Sequence, residues 1–158
     1  FNKRLLTLNE INESLEKIHT LLISFNPSVK IVYTLSPVRH IKDGIEENAI
    51  SKALLKVAIH EQVTNNACLY FPAYEYMMDD LRDYRFYEED LIHPNTVAIK
   101  YIWKKFTETY FSESTLHKVK EVEKIITFLN HRPVNPDKDY ESKLAEKQME
   151  LERLLFQP

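Results

Sequence analysis

Glycine is almost absent from this chain, which contains only Gly44 among its 158 residues. An average composition of about 7% glycine would supply roughly eleven. Enzymes of the α/β class place glycines in phosphate-binding loops, oxyanion loops and nucleophile elbows. The near absence of glycine therefore predicts that this chain does not itself form loops of these kinds.

The sequence is also poor in cysteine, has no excess of basic residues and has no long apolar run. Its single cysteine, Cys68, excludes an internal disulfide and lies in an apolar run, which predicts a packing role. The net charge of -3 argues against a nucleic-acid partner. No run approaches the ~20 apolar residues that span a membrane, and no signal peptide is recognisable. We therefore expect a cytoplasmic protein that binds neither nucleic acid nor membrane.

The hydrophobic pattern alternates helices with short strands. Two runs rich in β-branched and aromatic residues, 29–35 and 67–71, predict strands, and the first is apolar on both faces, as in a parallel strand buried from both sides. Helical periodicity predicts helices over 7–25, 48–64, 73–81, 95–110, 112–130 and 137–156. A chain that is 44% hydrophobic and 28% charged suits one globular domain. The order of these elements is typical of α/β proteins with a parallel sheet.

The same periodicity predicts which side chains face the core. Thr7 and Glu10 have the spacing of a capping box at the start of the first helix. Asn95 or Thr96 can cap the helix that begins near residue 96. The predicted core positions are Ile50, Leu54, Val57, Ala58 and Ile59, then Met77, Met78 and Leu81, and then Ile99, Ile102, Trp103 and Phe106.

The segment around Asp90 and His93 is the strongest candidate for chemistry. A carboxylate three residues before a histidine can orient the imidazole, which then takes a proton from a nucleophile. Pro94 disfavours helical backbone at His93 and can begin the helix that follows. The alternative is that Asp90 caps a turn and His93 is an ordinary surface histidine. Taken alone, the Asp-x-x-His spacing favours this alternative, because such spacings are common.

Further candidates follow the first predicted strand, at the sheet edge where ligands of α/β proteins bind. Arg39 could hold a substrate carboxylate or phosphate, with His40 beside it. The alternative is that Arg39 pairs with acids of the segment 79–90 and His40 closes the loop. Ser36 has no neighbouring glycine, unlike a serine in a nucleophile elbow, so we predict that it caps the turn at the end of the strand.

Several longer motifs point to one family. They are Val32 to His40 with Lys42-Asp43-Gly44 and Glu47-Asn48, Tyr70 to Glu75, Met77 to Tyr87, Asp90 to Pro94, and His131-Arg132-Pro133 with Asn135-Pro136. From about Lys30 to Pro136 the chain resembles the GSCFA-domain family, a branch of the SGNH/GDSL hydrolase superfamily. The resemblance implies a flavodoxin-like three-layer fold and a serine-centred ester or acyl-transfer site. It also implies that Asp90 and His93 are the acid and base of a triad.

Two parts of the family's pattern are missing from this sequence. The Gly-Ser-Cys-Phe-Ala segment that carries the family's serine, and its oxyanion blocks, do not occur in this sequence. In the family they lie upstream. The resemblance therefore implies a C-terminal portion, an α/β arrangement with few parallel strands and several helices. Residues 1–136 would belong to one SGNH/GSCFA-like domain and residues 137–158 would form a charged helix.

We accordingly expect part of an SGNH-type serine esterase or acyltransferase that acts on an O-acyl ester of a carbohydrate or another small molecule. The chain would supply Asp90 and His93 to a serine outside it, and would be inactive alone. No cofactor is expected, and no metal either, because His40, Asp43, Asp90 and His93 lack a recognised ligand spacing. The alternative is a non-catalytic scaffold that forms homo-oligomers through exposed sheet edges.

Overall fold

The computed structural model describes residues 4–133 and 139–156. These residues form two compact units, Phe1–Lys105 and Phe106–Pro158. The predicted boundary at residue 136 and the predicted helix start at residue 137 lie outside the described residues. The helices are α1 (Leu8–Phe25), α2 (Ile45–Asn66), the short α3 (Ala73–Glu75), α4 (Thr96–Tyr110), α5 (Glu113–Asn130) and α6 (Tyr140–Phe156). The strands are β1 (Val32–Thr34) and β2 (Leu69–Phe71), with 3₁₀ turns at Ile41–Asp43 and Tyr84–Phe86 and a π-helical turn at Tyr76–Asp80.

The two strands form a small parallel sheet, with Val32 opposite Leu69 and Thr34 opposite Phe71. Helix α2 lies between them in the chain as the crossover, so the predicted α/β class with a parallel sheet is confirmed. The prediction that the first strand is buried from both sides is wrong. Val32 is 36% exposed and Leu69, its partner across the sheet, is 43% exposed. A strand is buried on both faces only where a layer covers each face, and within the described residues this end of the sheet is left open.

The core beside the sheet is built from the segment after β2. Met77, Leu81, Tyr87 and Ala98 form one buried cluster, and Met77 has no exposed surface. The predicted packing of the methionines and Leu81 is therefore confirmed. The expected single helix over 73–81 changes instead into a π-helical turn, closed by a 3.0 Å hydrogen bond from the amide of Leu81 to the carbonyl five residues earlier.

Other predicted core positions prove to be exposed. Ile50 and Val57 on α2 are 43% and 45% exposed, and Ile99 and Trp103 on α4 are 57% and 47% exposed. By contrast, Ala58 and Ile59 are buried as predicted. Periodicity identifies the apolar stripe of a helix, but the neighbouring elements decide how much of that stripe is covered. The helix faces were therefore only partly predicted.

The predicted helix caps are confirmed. The hydroxyl of Thr7 accepts from the amide of Glu10, whose carboxylate accepts in return from the amide of Thr7. At α4 the capping residue is Asn95, whose Oδ1 accepts from the amides of Val97 at 3.0 Å and Ala98 at 3.2 Å. Cys68 is buried as expected, and burial raises the pKa of its thiol.

In the second unit, α5 and α6 pack together. Ile125 is buried on α5, and the hydroxyl of Tyr140 donates a 2.6 Å hydrogen bond to the carbonyl of His131. Ser112 caps α5 by accepting from the amide of Thr115. None of the helices that the structure describes is long and apolar enough to cross a membrane.

Candidate active site

Asp90 and His93 lie in a closed loop between the 3₁₀ turn Tyr84–Phe86 and α4. The loop is closed at its base by an antiparallel bridge between Tyr87 and Pro94. Above the bridge, the amide of Glu88 donates to the carbonyl of His93 at 2.8 Å. The sequence favours this closure because Pro94 keeps the preceding residue extended and precedes the capped start of α4.

Within this loop one carboxylate makes three hydrogen bonds. Oδ1 of Asp90 accepts from the amides of Ile92 at 2.8 Å and His93 at 3.0 Å, and Oδ2 lies 2.6 Å from Nδ1 of the His93 ring. Between them, Leu91 has a left-handed backbone with φ of +56°. Asp90 therefore caps the turn and contacts the imidazole at the same time, so the two sequence interpretations of this residue are compatible.

The protonation of the pair follows from these contacts. The hydrogen bond from the His93 ring, together with the two backbone amides, lowers the pKa of Asp90 to about 2. An ionised carboxylate can only accept hydrogen bonds, so Nδ1 of His93 must carry a proton. In the neutral imidazole, Nε2 is then the unprotonated nitrogen and can act as a base. The side chains remain accessible, with 59% of His93 and 43% of Asp90 exposed.

Arg39 reaches this loop from the segment after β1. Its guanidinium donates to the carbonyl of Leu91 at 3.2 Å and to the hydroxyl of Tyr87 at 3.3 Å. It also lies over two aromatic rings, 4.6 Å from the centroid of Tyr87 and 5.6 Å from that of Tyr84. The structure thus joins Arg39 to the Asp90–His93 loop through a carbonyl and a hydroxyl, not through the acids of the segment 79–90.

Arg39 also lines a pocket of about 270 Å³. Its lining includes both apolar and charged side chains. Its other lining residues are Met77, Met78, Leu81, Arg82, Asp83, Tyr84 and Tyr87. Asp90, His93 and His40 are not among the lining residues, so the pocket lies beside the acid–base pair and does not contain it.

The segment that carries Arg39 is fixed to α2 at both ends. Lys52 is buried and donates a 2.6 Å hydrogen bond to the carbonyl of Ser36, and burial lowers the pKa of Lys52. At the other end, the amide of His40 donates to Oδ1 of Asn48 at 2.9 Å. The hydroxyl of Ser36 accepts from the amide two residues later, at 3.2 Å, which confirms the predicted turn cap. The His40 side chain remains exposed.

A second polar cluster was not found from the sequence. Glu75 accepts from the hydroxyl of Tyr70 at 2.7 Å and from the ammonium of Lys56 at 2.5 Å. Lys56 also lies 3.7 Å from the centroid of the Tyr70 ring. Burial raises the pKa of Glu75, but the hydrogen bonds from Lys56 and Tyr70 outweigh it and the net pKa is lowered. The cluster connects α2, β2 and α3, and no local spacing in the sequence indicates it.

No group of histidine, cysteine and acidic side chains in the part of the chain that the structure describes could hold a metal ion. The fold and the loop define an α/β protein with a histidine oriented by a carboxylate. Comparison with protein families matches residues 1–106 to the GSCFA family, so the chain belongs to that family. The matched range contains Arg39, Asp90 and His93, but ends before the His131-Arg132-Pro133 motif. No curated protein and no solved structure matches this chain.

Proposed function

We propose that this chain supplies the acid and the base of an SGNH-type serine esterase or acyltransferase. The observation that carries the proposal is the 2.6 Å contact between Nδ1 of His93 and Oδ2 of Asp90. A carboxylate in this position fixes the tautomer and the orientation of the imidazole and stabilises the imidazolium. The short parallel sheet with its α2 crossover is compatible with the flavodoxin-like three-layer fold of that superfamily.

The proposed reaction uses Nε2 of His93 twice. A serine hydroxyl attacks the acyl carbon of the ester while its proton moves to Nε2. The tetrahedral intermediate then collapses, the bond to the leaving oxygen breaks, and that oxygen takes the proton from Nε2. Water or an acceptor alcohol attacks the acyl-enzyme next and gives its proton to Nε2. The second tetrahedral intermediate collapses, the bond from the acyl carbon to the serine oxygen breaks, and that oxygen takes the proton from Nε2, which regenerates the serine. Asp90 remains ionised throughout and balances the positive charge of the imidazolium.

The serine of this mechanism is proposed to lie outside these 158 residues. Ser36 is the candidate within the chain, but its hydroxyl accepts a hydrogen bond within its own turn and its flanking residues contain no glycine. The donors for the oxyanion are also proposed to lie outside these residues, because the chain has a single glycine and oxyanion loops are rich in glycine. The substrate is proposed to be an O-acyl ester of a carbohydrate or another small molecule, and the exposed His40 side chain is proposed as one of its contacts.

The decisive experiment measures hydrolysis of a generic acetyl ester by a protein that includes the nucleophile-bearing segment. His93→Ala should lower turnover by a factor on the order of 10²–10⁴, the usual contribution of a general base. Asp90→Asn should also lower turnover, because an amide does not fix the required tautomer. His117→Ala is the matched control, since that histidine is 75% exposed and lies in the other unit. Unchanged turnover in His93→Ala would exclude the proposed role.

A second candidate is a non-catalytic interaction domain, and the open end of the sheet favours it. Val32 and Leu69 present exposed apolar side chains at the end of an unusually small sheet. Each strand of this two-stranded sheet also has an edge that pairs with no other described strand, and such edges invite pairing with another chain, including a second copy. Sizing chromatography over a range of concentrations tests this candidate. A strictly monomeric species at every concentration would contradict it.

A further inference from the structure

We propose that Arg39 is a positioning residue, which holds the Asp90–His93 loop in the geometry that joins the carboxylate to the imidazole. The effect of Arg39 on catalysis rests on the proposed function, whereas its effect on the geometry of the loop does not. From the sequence, Arg39 could contact substrate or pair with acids of the segment 79–90. Its observed contacts assign it to the loop instead, 52 residues away along the chain.

The first step of the argument is that the backbone of Arg39 is held in place. Ser36 is fixed by the buried ammonium of Lys52, and His40 is fixed by the side chain of Asn48. Both anchoring residues lie on α2, so Arg39 projects from a short segment attached to one helix at both ends. The backbone of Arg39 therefore needs no further ordering when the guanidinium makes its contacts.

The second step concerns the residue that the guanidinium contacts. Leu91 adopts a left-handed backbone, which is unfavourable for a residue with a Cβ atom. Its amide is held by the carbonyl of Glu88 at 3.0 Å, and its carbonyl is held by Arg39 at 3.2 Å. Without the Arg39 contact, the strained residue loses one of the two hydrogen bonds of its own amide and carbonyl, and the bonds to Asp90 and Glu88 remain to hold the turn. Because Leu91 lies between Asp90 and His93, relaxation of its backbone would move the carboxylate away from the ring.

The third step is that both terminal nitrogens of the guanidinium already make hydrogen bonds to this part of the fold. Its two terminal nitrogens donate to different acceptors, and its plane lies over the rings of Tyr84 and Tyr87. The planar fork of arginine presents two nitrogens at a fixed separation to the carbonyl and the hydroxyl, whereas a lysine ammonium is a single point charge and does not reproduce that geometry.

The test uses nuclear magnetic resonance of the 158-residue chain, so it does not depend on activity. The measured quantities are the deshielded Nδ1 proton of His93 and the hydrogen-exchange rates of the Ile92 and His93 amides, which donate to Asp90. Arg39→Gln should broaden or abolish the Nδ1 signal and speed exchange of both amides ~10-fold, the effect of one lost hydrogen bond to a charged group. Arg39→Lys keeps the charge and should restore the signals only in part.

Arg82→Gln is the matched control. Arg82 lines the same pocket and carries the same charge, but it pairs with Asp79 at 3.3 Å. It should leave the His93 signal unchanged. An intact Nδ1 signal in Arg39→Gln would overturn the inference. Full restoration by Arg39→Lys, or equal loss in Arg82→Gln, would also overturn it, because charge alone would then explain the effect.

A second measurement separates this inference from the proposed function. In the active protein, Arg39→Gln should lower kcat with little change in KM, because a displaced base affects the chemical step. A higher KM with unchanged kcat would identify Arg39 as a substrate contact and overturn the positioning role. If His93→Ala keeps its turnover while Arg39→Gln loses the Nδ1 signal, the proposed function fails and the structural role of Arg39 stands.

Discussion

Asn95 connects the Asp90–His93 loop to α4 with both ends of its side-chain amide. Its Oδ1 caps the helix by accepting from the amides of Val97 and Ala98. Its Nδ2 donates to the carbonyl of Arg85 at 2.7 Å, and a longer contact of 3.4 Å reaches the carbonyl of Tyr87. One side chain therefore supports both the helix start and the chain that enters the loop.

Replacement of this residue should have two separable costs. Asn95→Ala loses a helix cap worth about 1 kcal/mol and a side-chain hydrogen bond worth about 1 kcal/mol, so we expect the free energy of opening to fall by about 2 kcal/mol. Asn95→Ser keeps a capping oxygen but has no donor for the carbonyl of Arg85. We therefore expect it to lower the same free energy by about half as much.

Native-state hydrogen exchange of the amides in the first turns of α4 is the appropriate assay. The chain consists of two compact units, so one global free energy of unfolding is not well defined for it. Ser112→Ala is the matched control, because it removes a cap from α5 and no loop contact. If Asn95→Ala lowers the opening free energy of α4 no more than Ser112→Ala lowers that of α5, the hydrogen bond from Asn95 to the carbonyl of Arg85 contributes nothing and the reasoning is refuted.

The elements of this fold were predictable because their signals are local. The capping box of Thr7 and Glu10 and the apolar periodicity of the helices depend on residues within a few positions of each other. The exposure of Val32 and Ile99 was not predictable in the same way. Whether an apolar stripe is covered depends on what packs against it, and this information is not contained in the stripe itself.

In the candidate site, too, the local contacts were predictable from the sequence and the long-range contacts were not. Asp90 and His93 are three residues apart, so a spacing rule finds them and the turn between them brings their side chains together. Arg39 and Leu91 meet across 52 residues, and their contact requires the fold. The motif resemblance identified the family, and the position of Arg39 after the first predicted strand marked it as a candidate. Neither indicated that its guanidinium would hold a backbone carbonyl.

Two further predictions concern stability. Met77 is wholly buried, so Met77→Ala should lower the free energy of unfolding of its unit, measured in urea, by about 2–5 kcal/mol. The control is Met149→Ala. Because Met149 is 53% exposed on α6, its replacement should change the free energy of unfolding of its own unit by less than about 0.5 kcal/mol. Glu10 should make α1 sensitive to acid, because the hydrogen bond from Arg4, followed by those from Thr7, lowers the pKa of its carboxyl from 4.5 to about 2. A depressed pKa in the folded state stabilises the protein above the unfolded value of 4.5, and this contribution is lost as the pH falls towards about 2. Between about pH 6 and pH 3 the unit that contains α1 should therefore lose more stability in urea than the same unit of the Glu10→Gln variant, which has no carboxyl to titrate at this position. Equal losses in the two proteins would show that the capping carboxylate has the same pKa in the folded and unfolded chain, contrary to the contacts at the start of α1.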